Sequence, residues 1–189
     1  MMREFKPKLK TYTSDEIPAE YEHQIRSFIR IEWWDSYQYD LNPPLGNPDY
    51  SPLNFVLVEG DCLYGALKVN RKLIAHQGQD YMCYGLGGVF TYPAFRKRGY
   101  GAWIVREATA YIRKQDDADV AVLWTEIHNI PFYERNGWEY TPNIKMMLGD
   151  PMSPYQSAEH VLMLFISDKA QANRQQFIEH PVYFGKRGW

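Results

Sequence analysis

The sequence predicts a mixed α/β (α+β) fold in which helices flank a sheet, and three observations predict it. Residues 54–59 and 62–69 are two strand-like runs that meet at Gly60-Asp61 and read as a hairpin. Ile104, Val105, Ala108, Tyr111 and Ile112 recur at the spacing of one buried helical face. Residues 120–125 form a short apolar run, which suits a strand buried on both faces.

The remaining elements follow in order. Residues 4–12 can form a first strand, and Ser14 or Asp15 can cap a helix over about 18–34. Ile25, Phe28, Ile29 and Trp33 share one face of that helix. Residues 35–52 are the least regular stretch, broken by Pro43, Pro44, Gly46, Pro48 and Pro52. Residues 81–92 form the next strand, which ends at Pro93. A short helix over about 130–136 stops at Gly137, a good residue to end a helix. Residues 144–148 and 161–167 can be two final strands. The tail, 173–184, can extend the sheet, cover a functional site or join a homodimer.

A chain of 189 residues suits one domain, 1–189, with a sizeable core. Apolar residues at 45% and charged residues at 23% are ordinary for a globular protein. Aromatics reach 16%, enough both to fill a core and to line a binding surface. No run of 18 apolar residues occurs, so no membrane span is expected, and the N-terminus lacks the apolar stretch of a signal peptide. Two cysteines, Cys62 and Cys83, suit reduced thiols in a cytoplasmic protein better than a disulfide scaffold. No Cys/His cluster has the spacing of metal ligands. A net charge of −2 argues against bulk binding of nucleic acid. Its distribution is more telling. No Lys or Arg falls between Ile31 and Leu67, where Glu32, Asp35, Asp40, Asp49, Glu59 and Asp61 all lie. Basic residues gather instead at Arg71-Lys72 and at Arg96-Lys97-Arg98. An acidic surface and a basic pocket suit a cationic substrate meeting a phosphorylated cofactor.

The stretch from Gly87 to Ala102 carries the strongest functional signal. It leads from a strand through Pro93 into Arg96-Lys97-Arg98-Gly99-Tyr100-Gly101, which opens a helix. N–H groups in the first helical turn lack helical partners and, with the helix dipole, attract anions. Glycines at 99 and 101 allow close approach to a phosphate. The loop is not a P-loop, since no Gly-Lys-Ser/Thr occurs, nor a dinucleotide fingerprint, since position 104 is Ile.

Arg96-x-x-Gly99-x-Gly101 resembles the acyl-CoA loop of the GNAT superfamily of N-acetyltransferases. Asn129-Ile130-Pro131-Phe132-Tyr133-Glu134-Arg135-Asn136-Gly137-Trp138 is similar to that family's segment in which an Asn precedes a Phe-Tyr pair and a Gly-aromatic turn. The resemblance is clear over about residues 84–140. It implies a central, mostly antiparallel twisted sheet flanked by helices, and acetyl-CoA as the acyl donor. It also implies direct attack by an amine. Backbone groups of Val89, Phe90 and Thr91 would then pair with pantetheine as an added strand. The loop from Arg96 and Lys97 through Arg98, Gly99, Tyr100, Gly101 and Ala102 would hold the pyrophosphate, and Asn129 the pantetheine arm. Tyr133 would protonate the leaving thiolate, as a phenol of pKa near 10 can. The family's strand carboxylate is absent from residues 85–91, which leaves Glu126 as the best-placed base, with His128 nearby.

The family's architecture places the acceptor beneath the segment after the first helix. Here that segment is Glu32-Trp33-Trp34-Asp35-Ser36-Tyr37-Gln38-Tyr39-Asp40, acidic and aromatic together. Carboxylates pair with ammonium groups and aromatic faces attract cations. Glu32, Trp33, Trp34, Asp35 and Tyr37 therefore point to a small-molecule amine, such as a polyamine or an aminoglycoside-like compound. The alternatives are an amine of a protein or peptide, and a non-catalytic acyl-CoA-binding module on the same fold.

Overall fold

The computed structural model describes residues 6–37, 40 and 42–189. Strand β1 (Lys8–Thr13) is followed by helix α1 (Ala19–Glu32), then β2 (Leu53–Glu59), β3 (Cys62–His76) and β4 (Gln79–Thr91). Helix α2 (Tyr100–Arg113) leads to β5 (Val120–Thr125), α3 (Ile130–Glu134) and the two-residue β6 (Glu139–Tyr140). The chain closes with β7 (Met146–Asp150), β8 (Ser153–Gln156), β9 (His160–Phe165), α4 (Asp168–Ala172), α5 (Arg174–Glu179) and β10 (Val182–Gly185). Seven strands form one sheet in the order β1-β2-β3-β4-β5-β9-β6, while β10-β7-β8 form a second. The β4–β5 pair is parallel; the pairs β1–β2, β2–β3, β5–β9 and β6–β9 are antiparallel.

The chain divides into two compact units, and β3, β4 and α2 each contribute to both. The first unit takes in residues up to Val69 and Gly88–Val105. Its strands β1 and β2 pair from Lys8↔Val58 to Thr13↔Leu53. Helix α1 presents Tyr21, Ile25 and Phe28 to a core shared with Val56, Val58, Leu63, Ala66, Leu45 and Phe90. The residue before α1 is Pro18, and no side chain caps the helix, contrary to the expectation for Ser14 or Asp15. Ser14 is engaged elsewhere: its Oγ accepts from Asn54 Nδ2 at 3.3 Å.

The second unit comprises Asn70–Gly87 and Arg106–Trp189. Gln77 and Gly78 join β3 to β4 with φ of 48° and 75°, the left-handed pair that a tight two-residue hairpin requires. Val120 and Val122 of β5 lie in a core with Cys83, Met146, Met163, Phe177 and Phe184. The tail forms α5 and β10, and β10 pairs with β7 in the small sheet.

Candidate active site

In the first unit, the site begins where β4 runs on past its pairing with β5. Pairing of β4 with β5 runs over Cys83↔Val120, Tyr84↔Ala121 and Gly85↔Val122, although β4 continues to Thr91. Gly88 follows with φ of 59°, a conformation that favours glycine. Beyond Thr91, the Tyr92 N–H donates to the Tyr64 carbonyl at 2.9 Å, and the Tyr92 hydroxyl donates to the Gln24 carbonyl at 2.5 Å. Phe95, in a turn over Pro93–Phe95, stacks on the Tyr64 ring at 3.8 Å, and the Tyr64 hydroxyl donates to Glu59 at 2.5 Å. Burial and the Glu59 carboxylate push that hydroxyl far above the usual phenol range. Tyr64 is thus a fixed plate under the start of the basic loop.

Within the loop, Lys97 and Gly99 adopt φ of 62° and 81°. Gly99 leaves open space where a Cβ would stand, and its carbonyl accepts from the Trp103 N–H at 2.9 Å. Gly99 therefore sits at the head of α2, a helix of 14 residues whose first-turn N–H groups at 100–102 have no partner within the helix. Gly101 lies inside that first turn, and the unusual backbone belongs to Gly99. Lys97 and Arg98 are exposed, and Arg96 Nε donates back to the Thr91 carbonyl at 2.9 Å. The cradle of open glycine, helix head and exposed bases fits a pyrophosphate.

The same unit contains the acidic aromatic segment. Trp33 ends α1, its N–H donating to the Ile29 carbonyl at 2.8 Å. Its ring meets Phe28 edge-on at 5.6 Å and Phe90 of β4 at 6.3 Å, while Phe28 and Phe90 stack at 4.0 Å. Trp34, 64% exposed, opens a single turn over Trp34–Tyr37, and Glu32 and Asp35 are exposed beside it. Gln38 and Tyr39 lie outside the described residues. One neighbour of this region has no sequence signal: Lys68 of β3 donates from Nζ to the Leu45 carbonyl at 2.7 Å. Its Cε lies 3.5 Å from where a Cβ on Gly88 would be.

The second unit holds the other predicted residues. Tyr133 lies on α3, 8% exposed, and burial pushes its hydroxyl up to about 12, so it stays protonated at neutral pH. Asn129 precedes α3 without capping it by its side chain, and its N–H donates to the Glu126 carbonyl at 3.0 Å. Glu126 pairs with His128 at 3.2 Å, with both side chains mostly exposed. Asn136, buried, donates to the Phe132 carbonyl at 2.7 Å and accepts from Arg106 at 3.3 Å. Trp138 Nε1 donates to Thr109 Oγ1 at 2.9 Å. The Asn-Gly-Trp turn therefore clamps α3 to α2 and sets the position of Tyr133. An open cleft of about 590 Å³ beside Arg113, Glu139, Phe165 and Arg174 contains none of the predicted residues. Among the described residues no group of His, Cys, Asp and Glu could hold a metal, and no helix is long and apolar enough to cross a membrane.

Residues 8–141 match the family model of the acetyltransferase (GNAT) domain. No curated protein matches the sequence. Among solved structures, the fold is similar to that of Escherichia coli ElaA, at 12% identity over 84% of this chain and 98% of that one, with a TM-score of 0.57. It is also similar to Arabidopsis thaliana NAA60 in complex with a bisubstrate analogue, at 14% identity over 85% and 99%, with a TM-score of 0.58. A GNAT family acetyltransferase from Brucella melitensis in complex with acetyl-CoA matches at 18% identity over 85% and 89%, with a TM-score of 0.54. At these identities the likeness is one of fold.

Proposed function

Because this chain belongs to the GNAT acetyltransferase family, we propose that it is an N-acetyltransferase acting on a primary amine of a small cationic acceptor. Acetyl-CoA, the co-substrate that goes with the family, supplies the acyl group as a thioester. In this reading the whole chain, 1–189, acts as one acetyltransferase domain in the cytoplasm, where its two free cysteines stay reduced.

The observation that carries the acceptor class is the packing of Trp33 on Phe90. It supports a role for the acidic aromatic segment at the C-terminal end of β4, where the family resemblance puts the pantetheine arm. Glu32 and Asp35 attract the ammonium groups of the acceptor, and Trp33 and Trp34 offer it their faces. The N–H groups from Arg98 to Ala102 hold the pyrophosphate, with Arg96 and Lys97 adding positive field, and the backbone at 89–91 orients the arm. Asn129 hydrogen-bonds that arm. Tyr133 donates its proton to the departing thiolate, and Glu126 is the candidate carboxylate for the proton of the amine.

The test is a panel of amines with acetyl-CoA, followed by release of CoA thiol. Di- and polycationic amines should give the highest kcat/KM. A preference for anionic acceptors would refute the assignment of the acidic segment. Acetylation of peptide amines alone would favour a protein acceptor, and CoA binding without turnover across the panel would identify a binding module.

A further inference from the structure

The reaction requires that the amine lose a proton, and β4 carries no carboxylate between Gly85 and Thr91. Lys68 stands at that place. Among the described residues, its Cε is the one atom outside the chain neighbours within 4 Å of where a Cβ on Gly88 would stand. Its Nζ turns away from solvent to the Leu45 carbonyl at 2.7 Å, in the irregular segment that follows the acidic aromatic turn. Leu45 in turn belongs to the core that contains Phe28 and Phe90, with Trp33 packed on both rings.

We propose that Lys68 is the catalytic residue of the acceptor side: its Nζ, held on the Leu45 carbonyl beside Gly88, takes the proton that the attacking amine loses. The step balances without a further reactant. A neutral Lys68 amine accepts one proton from the ammonium of the acceptor, leaving the acceptor a neutral nucleophile and Lys68 an ammonium, which then discharges to water. A neutral lysine has two N–H donors and one lone pair, so it can keep its bond to Leu45 and still accept a proton. Among the described residues, the groups that face it are uncharged: Asn54 across on β2, Leu45 and Gly46 from the loop, and Gly88 on β4. Burial lowers its pKa from the ordinary lysine range, which brings the neutral form closer to working pH.

This proposal rests on the acetyltransferase reading above. It is tested by pH–rate profiles of Lys68→Met, Lys68→Arg and Glu126→Gln, with CoA affinity measured on each. Because the base works when neutral, wild-type kcat should fall as the pH drops through the pKa of Lys68. Lys68→Met and Lys68→Arg should each lower kcat about 10²-fold or more, lose that limb and keep their affinity for CoA, while the Glu126→Gln profile distinguishes Lys68 from the other candidate base. Arginine keeps the charge and the bond to Leu45 but cannot deprotonate. A Lys68→Arg enzyme with wild-type rate and profile would therefore overturn the assignment, as would loss of the limb in Glu126→Gln alone. NMR titration of the Lys68 side chain in the wild type covers the case in which the variants do not fold. A midpoint near the ordinary lysine value of about 10.4 would exclude the role, and one well below it supports the role. If the wild type releases no CoA with any amine, the acetyltransferase reading falls and Lys68 with it. If it turns over and Lys68→Arg is unaffected, only Lys68 falls.

Discussion

Tyr133 carries the acid half of the proposed chemistry, and its surroundings make a specific demand on the pH profile. Burial holds its hydroxyl up to about 12, against about 10 for a free phenol. The acid is active when protonated, so its alkaline limb should lie near the higher value. Tyr133→Phe should lower kcat by about 10²-fold or more and leave CoA affinity within a factor of about two; an unchanged kcat would remove Tyr133 as the acid. The tyrosine itself was legible in the sequence because Asn129, the Phe-Tyr pair and the Gly-Trp turn occur together. Asn136 and Trp138 were legible only as a motif. Their work is to bind Phe132, Arg106 and Thr109, and that emerges from contacts made across the chain. Lys68 had no signal at all. A lysine on a strand reads as a solvated side chain until pairing brings it beside Gly88 and under Leu45.

At the scale of elements, the loop and the head of α2 matter most. Gly99, at φ of 81° with open space around it, tolerates little backbone change but offers no steric barrier to a ligand. Gly99→Glu puts a side chain and a negative charge where the pyrophosphate is proposed to bind. CoA affinity should fall by at least about tenfold, the equivalent of about 1.4 kcal/mol. Calorimetric titration measures it, and an unchanged Kd would refute the loop assignment. β5 was read with its bounds, because an apolar run of six is unambiguous between a helix and a turn. The start of α1 departs from the sequence expectation: Pro18 precedes the helix, and the Ser14 hydroxyl, a good cap in general, is taken here by Asn54. β8 escaped notice for a different reason. All four of its residues are exposed and one is Pro154, which an edge strand accepts, so no alternation marks it.

For the molecule as a whole, the order of strands and helices through α3 was largely readable, because each element there has its own periodicity or bounding turn. The second sheet was not readable. β7 and β10 lie more than thirty residues apart in sequence yet pair in parallel, and no local pattern encodes that choice. Charge distribution was the one global feature that spoke to function. The acids between Ile31 and Leu67 and the bases at 96–98 lie in segments that fold into the same unit. The acidic segment and the basic loop thus belong to one part of the fold. The most direct test of the account is to incubate the wild-type chain with acetyl-CoA and a polycationic primary amine, and to measure free CoA thiol and N-acetylated amine together. The account predicts that the two appear in equal amounts and in proportion to enzyme; CoA bound tightly with neither product formed would contradict it.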